Sequence, residues 1–224
     1  MQDDPKYQPE EPPSPADLDP AIIVSPDTRR ANRVPPGQSR TRKWPVLDAW
    51  GPPQFDPAAW KLKIWGLVNQ PLEFSLAEFQ LLARVKVFAD FHCVTRWSRL
   101  GNVWEGVSTK DLLGRAGVDP RARFVICHAY DNGWTTNLPL SEFLADDALL
   151  ADVHDGEPIS LEHGGPVRGL VPRLYAWKSA KWICGIELSA TDRAGYWERG
   201  GYHMRGDPWV VDEHNPDGQR FGSM

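Results

Sequence analysis

The run Val85-Lys86-Val87-Phe88-Ala89-Asp90-Phe91-His92-Cys93 sets an apolar side chain at every second position and ends on a thiol. A period of two is that of a strand, so Val85, Val87, Ala89, Phe91 and Cys93 are expected on one face of a sheet. The residues that follow, Val94-Thr95-Arg96-Trp97-Ser98, are polar, basic and aromatic, which places the sulfur where the strand gives way to a loop. A cysteine in that position is either inert packing or a soft ligand for a buried metal. Arg96 and Arg99 just beyond it would favour a thiolate or an anionic substrate.

The other elements bound the architecture. Residues 60–68 alternate and read as a strand. Ser75-Leu76-Ala77-Glu78 is a capping box opening a short helix to about Arg84. Ser108 to Asp111 carries N-cap chemistry for a helix that Gly117 closes. Residues 122–129 read as an apolar strand, 141–150 as a helix, and Asp155-Gly156 as a turn between two short strands. Pro166 to Pro172 and Trp182 to Ser189 are further strands. Short strands mixed with short helices, without a regular strand-helix-strand repeat, predict an α+β fold dominated by mixed sheet.

Nine of the 21 prolines fall within the first 36 residues. Residues 1–43 therefore read as an extended Pro-rich arm unable to build its own core, its arginines a solvated basic patch. Residues 44–194 read as the globular domain, and 195–224 as a tail rich in Gly and aromatics packed on it. Three cysteines, an odd number, argue against a disulfide framework. The N-terminal residues show no secretory leader pattern, no apolar run is long enough to span a bilayer, and a cytoplasmic location is the expectation. A net charge of −5 gives no support for nucleic-acid binding.

Two more clusters carry chemistry. In Glu162-His163-Gly164-Gly165-Pro166-Val167-Arg168 two glycines would let the backbone approach a ligand, and Arg168 can grip a phosphate with both arms. The competing reading is a loop with a surface arginine. In Trp177-Lys178-Ser179-Ala180-Lys181-Trp182, Lys181 sits between aromatics as it enters a strand, which suggests a buried anion; an edge lysine kept for solubility is the alternative. His92-Cys93 with Cys127-His128 would supply zinc ligands, but neighbours on a strand point to opposite faces. A Cys93–His163 hydrolase pair has no local signature in its favour.

Taken in order, these pieces resemble the molybdopterin-binding domain of the sulfite oxidase family, from about Trp44 to about Ser189. The anchors are the Cys93 segment, Trp104-x-Gly106, the stretch from Asp155-Gly156 to Val167-Arg168, and Ser179-Ala180-Lys181-Trp182. The resemblance implies the sulfite-oxidase-type fold, a Mo-molybdopterin cofactor, and Cys93 as the protein's ligand to molybdenum. It also implies His163, Arg168, Ser179, Lys181 and Asp131 as contacts to the pterin and its phosphate, with the Trp44 to Leu47 turn touching the pterin. Oxo transfer to or from a small S- or N-centred substrate would follow, with electrons exchanged with an external carrier. Arg96 is the expected substrate-facing charge, and Trp97, Tyr130 and Trp134 the expected walls.

The chain also departs from that pattern. Leu47-Asp48-Ala49 stands where sulfite oxidases carry Arg-Asn-His, and the Cys-Val-x-x-Trp-Ser spacing is closer to the methionine-sulfoxide reductase branch. His163 follows the sulfite oxidases, where those reductases carry Asn. The length leads us to expect neither a haem-binding nor a dimerisation domain. The alternatives are a methionine-sulfoxide-type reductase and a non-catalytic molybdopterin-binding protein.

Overall fold

The computed structural model of the chain describes residues 14–130 and 132–222. Their strands form two mixed sheets. The first is built on the long hairpin of β5 (Val85–Cys93) and β6 (Trp97–Ser108), extended by β9 (Leu149–His154), β10 (Glu157–Pro158) and β11 (Arg168–Leu170). Two short arm strands join it in parallel, β1 (Ile23–Val24) on β5 and β2 (Ser39–Arg40) on β6. The second sheet runs in the order β4 (Leu72–Ser75), β3 (Lys61–Gly66), β12 (Ile183–Ser189), β7 (Phe124–Ala129), β8 (Thr135–Pro139). Only its β3–β12 pair is parallel. The observed architecture is thus α+β with mixed sheet.

The helices are short because local signals start and stop them quickly. Helix α1 (Leu76–Gln80) opens on the Ser75–Glu78 capping box, and α2 (Thr109–Ala116) opens on the Ser108 hydroxyl and closes at Gly117, φ +68°. The helix expected over 141–150 is instead a single turn, α3 (Leu140–Phe143), with the turn residues 144–148 leading into β9. The Thr109 hydroxyl donates to the carbonyls of Phe143 and Ala148. Asp147 is buried against the Ser25 hydroxyl, 2.7 Å away. Those contacts turn the chain into the sheet before a second helical turn can form.

The arm explains why β5 is buried on both faces. Val87, Ala89 and Phe91 pack with Trp104 on one side. On the other, Phe88, Asp90 and His92 lie under residues 23–40. Arg33 forks onto the Asp90 carboxylate at 2.8 and 2.6 Å, and Ser25 N–H donates to the Phe88 carbonyl. The arginines of the arm are therefore partly sequestered. A register shift between Ala89 and Phe91 interrupts the strict alternation, and Cys93 joins a separate cluster with Val94, Tyr175 and Trp177.

His92 is fully buried, its Nδ1 2.8 Å from Ser98 Oγ. Burial pulls its pKa down to about 4, with the charges of Arg33 and Arg30 acting in the same direction and Asp27 against them. The unfolded chain titrates near the ordinary value, so it takes up a proton between pH ~6.5 and ~4 that the folded protein refuses. This contribution is complete above pH ~6.5 and is lost as the pH falls through that window, at up to ~1.4 kcal/mol per pH unit. His154, held down to about 4 chiefly by burial, acts with the same sign. Urea midpoints should fall steadily from pH 6.5 to 4.5, and more steeply for the wild type than for His92→Gln. Equal slopes would rule out His92 as a source.

Candidate functional site

The ends of both sheets converge on one cavity of about 210 Å³. Cys93 closes β5 and Trp97 opens β6; Ala129 closes β7, while Trp134 and Trp182 precede β8 and β12. Arg168 opens β11, and Trp44 to Ala49 cross the cavity from the arm side.

At one end stands the Cys93 thiol, 7% exposed. The Thr95 hydroxyl donates to Sγ at 3.2 Å, and Arg96 N–H closes the turn onto the Cys93 carbonyl at 3.0 Å. Burial pushes the thiol pKa up, opposed by hydrogen bonds from Thr95 and the Val94 backbone and by the charge of Arg220. A thiol held this way stays protonated until a metal replaces the proton. Its surroundings are aromatic: Tyr175, Trp177, Trp97, Trp197 and Tyr202 pack in one cluster with it. Arg96 takes another course. It sits at φ +71°, largely exposed, and its guanidinium pairs with Asp217 at 2.6 Å. Arg220 reaches the back of the turn, Nε donating to the Val94 carbonyl at 2.9 Å.

At the other end lie two cations. Arg168 is 2% exposed, and its guanidinium donates only to carbonyls: His163 at 2.7 Å, Ser179 at 2.9 Å and Gly169 at 3.4 Å. Among the described residues no carboxylate pairs with it. Burial alone lowers its pKa, to about 9, so it is a cation at neutral pH without a counter-charge. A buried, unpaired cation facing a cavity calls for an anion there. Lys181 stands beside it. Burial first and then the charge of Arg168 lower its pKa to about 8, with Asp48 acting against them. Trp44 stacks on His163 at 3.9 Å, and His163 Nδ1 is buried with no hydrogen-bond partner. An anionic group in the cavity would meet the unpaired Arg168 cation and the Lys181 ammonium beside the Trp44 indole, whereas His163, stacked on that indole, is not among the residues lining the cavity. The donor set fits a phosphorylated pterin.

The other expected residues fall as follows. Ser179 lines the cavity, its hydroxyl accepting from Val171 N–H at 3.0 Å. Trp97 and Trp134 line it too, whereas Tyr130 packs in the larger core with its ring 6.1 Å from Phe55. Asp131 lies outside the described residues. Gly164 and Gly165, expected to admit a ligand, serve chain packing instead. A Cβ on Gly165 would meet the Ile159 carbonyl at 2.0 Å, and one on Gly164 the Lys181 side chain at 2.8 Å. Cys127 is buried in the main core, where burial pushes its pKa up to about 12. Among the described residues no cluster of three or more His, Cys, Asp or Glu side chains could hold a metal unaided. A metal beside Cys93 would need its remaining ligands from a cofactor.

Some of the site was invisible in the sequence. Lys178, not Lys181, is the fully buried lysine, paired at 2.5 Å with Glu198. Glu198 also accepts from Trp177 Nε1 and the Thr136 hydroxyl, both at 2.9 Å. The tail helix α4 (Tyr196–Arg199) and Tyr202 thereby complete the cavity wall. The signal available was the aromatic density of 196–202 around one acid.

Comparison with known proteins agrees with this geometry. Residues 49–197 match the family model described as oxidoreductase molybdopterin binding domain. The chain is 50% identical to the oxidoreductase YuiH of Bacillus subtilis (strain 168), over 80% of this chain and 91% of that one. It is 26% identical to the putative protein-methionine-sulfoxide reductase subunit YedZ1 of Azospira oryzae, over 80% of this chain and 69% of that one. In fold it is similar to the sulfane dehydrogenase SoxCD of Paracoccus pantotrophus, with a TM-score of 0.58 and 23% identity, covering 63% of this chain and 41% of that one. A cavity lined by a buried thiol and by an unpaired cation, inside a stretch that matches this model, identifies the chain as a molybdopterin-binding member of the oxidoreductase molybdopterin binding domain family.

Proposed function

We propose that this protein is a molybdopterin-dependent oxidoreductase that removes an oxygen atom from a small neutral substrate, a sulfoxide of the methionine type foremost. The observation that carries this is the division of charge in the cavity lining: its cations are Arg168 and Lys181, and the lining side chains packed with Cys93 are aromatic, apolar or hydroxyl-bearing, with Arg220 held behind the turn on the Val94 carbonyl. An anionic oxyanion substrate would find no lining cation beside the sulfur, since Arg96 pairs with Asp217. A neutral sulfoxide needs none. The resemblance to a methionine-sulfoxide reductase subunit points the same way.

In this reading residues 44–194 form the catalytic unit and 195–224 complete its cavity. Arg168 and Lys181 hold the cofactor's phosphate, Trp44 flanks its ring system with His163 stacked behind it, and the Ser179 carbonyl orients Arg168. The Cys93 thiolate is the protein's ligand to molybdenum. When bound, the cofactor supplies two-electron redox chemistry and oxygen-atom exchange. The tryptophans exclude water from the Cys93 end. Burial raises the Tyr202 pKa, so its phenol stays protonated to donate a hydrogen bond to a sulfoxide oxygen. Overall, one sulfoxide, two electrons from an external carrier and two protons give one thioether and one water.

The test is cofactor content and turnover on protein made with an intact molybdopterin pathway. Wild type should carry molybdenum and pterin and reduce sulfoxides with an artificial two-electron donor, with little action on sulfite. Arg168→Gln should retain pterin about 10- to 100-fold more weakly per folded molecule, the value of a charge-assisted hydrogen bond to phosphate. Absence of pterin from the wild type overturns the reading. Loaded protein inert toward sulfoxides reduces it to a cofactor-holding domain, and preference for sulfite reverses the substrate assignment.

A further inference from the structure

The cavity contains one feature at odds with a polyanionic ligand. Among the described residues that line it, Asp48 is the sole carboxylate. Its Oδ2 lies 3.6 Å from Lys181 Nζ, with both side chains about five-sixths buried, at 15% and 16% exposure. Its Oδ1 accepts from Gly51 N–H at 2.5 Å, and Gly51 sits at φ +83°, so the carboxylate is held at the head of a tight turn. The turn leaves Val46, Leu47 and Trp50 exposed, Leu47 also lining the cavity and Trp50 set edge-on to the Tyr196 ring. Lys181 meanwhile spends another donor on the Glu162 carbonyl at 2.7 Å. Arg168, deeper in, has no such acid.

We infer that Asp48 is a resident counter-ion for Lys181, which the phosphate of the cofactor must displace, and that this residue sets how tightly the cofactor is held. The inference rests on the reading that Arg168 and Lys181 receive that phosphate. Two like charges brought together in a partly dehydrated cavity repel far more than in water. A phosphate dianion on Lys181 therefore either drives Asp48 outward, turning the 44–51 segment on its Gly51 hinge, or binds against its charge. In both cases the carboxylate weakens binding. In exchange it keeps Lys181 paired in the empty protein, where the lysine would otherwise stand beside Arg168 with no acid between them.

Asp48→Asn separates charge from structure, because the amide oxygen still caps Gly51 N–H. Asp48→Ser, with a shorter capping oxygen and no charge, serves as a second variant. Each chain, purified from cells unable to make the cofactor, is titrated with isolated molybdopterin while tryptophan fluorescence is followed, Trp44 and Trp182 being nearby reporters. Both variants should bind about tenfold more tightly than wild type, mainly through slower release. If wild type binds molybdopterin and both variants bind it equally or more weakly, Asp48 is not a competing counter-ion, and weaker binding would mark it as a direct acceptor for a donor edge of the pterin. If no form binds molybdopterin, the cofactor reading itself falls, and this inference falls with it.

Discussion

Replacing Cys93 by serine should leave a folded protein that has lost its turnover and one sulfur from around its metal. The two side chains are nearly isosteric, and the site already holds a hydrogen-bonding neighbour, since the Thr95 hydroxyl lies 3.2 Å from Sγ. A serine there can exchange a hydrogen bond with Thr95, so the folding cost should stay near ~1 kcal/mol. The chemical cost is of another order. A soft thiolate matches molybdenum already bound by sulfur, and a hydroxyl, far less acidic, does not replace it. Changes one shell further out cost metal sites about 10- to 100-fold, so loss of the ligand itself should cost at least the upper end of that range. Sulfoxide turnover should fall by at least about a hundredfold, while X-ray absorption counts one sulfur fewer around molybdenum and pterin content stays close to wild type, because in the proposed reading the phosphate is held by the other lining cations, Arg168 and Lys181. Full activity in the serine variant would remove Cys93 from the metal.

Much of this was legible in the residues, and the gaps share a cause. Capping chemistry is local, so the Ser75 and Ser108 helix starts were readable in sequence. The end of α3 was not, because it is set by Thr109 and Ser25, which lie far away in the chain. The alternation leading to Cys93 correctly gave a strand. It did not show that the opposite face would be covered, since that depends on the arm docking through Arg33 and Asp90. In the site, Cys93, Arg168, Ser179 and Lys181 stand on one cavity. Their spacing in sequence carries them to strand ends that the fold brings together. Arg96 was expected there because it lies close to Cys93 in the chain, but a left-handed turn at that residue carries its side chain away. Asp48 stood out only as a departure from the family pattern, and Glu198 not at all, because an isolated acid has no pattern of its own. Only the cation it meets gives it meaning.

Glu198→Ala should be among the most destabilising single changes in the protein, although it removes a surface-like residue from a short tail helix. Lys178 and Glu198 have no side-chain exposure, and their 2.5 Å contact is the centre of a buried network that gathers on one oxygen of the acid. Lys178 Nζ also donates to Asn137 Oδ1 at 2.9 Å and to the carbonyls of Asn137 at 3.0 Å and Met204 at 2.6 Å. Burial pulls the Lys178 pKa down, with Glu198 the chief force opposing it. Truncating the acid leaves a buried ammonium with neutral partners only, and breaking such a pair typically costs ~3–5 kcal/mol. For a chain of this size that corresponds to a fall in Tm of about 6–20 °C. Glu198→Gln, which keeps an acceptor for Trp177 and Thr136, should lose less. Adding Lys178→Met to Glu198→Ala should recover part of the loss, because the stranded charge goes with it. If the double change is as damaging as the sum of the singles, the pair is not coupled and the cost lies in packing. The same acid holds the Trp177 indole and anchors the helix that carries Trp197, both lining the cavity. Cofactor retention should therefore decline alongside Tm in Glu198→Ala. Folding and the cavity are joined here through the tail, whose Glu198 fixes two of the indoles that line it, Trp177 and Trp197.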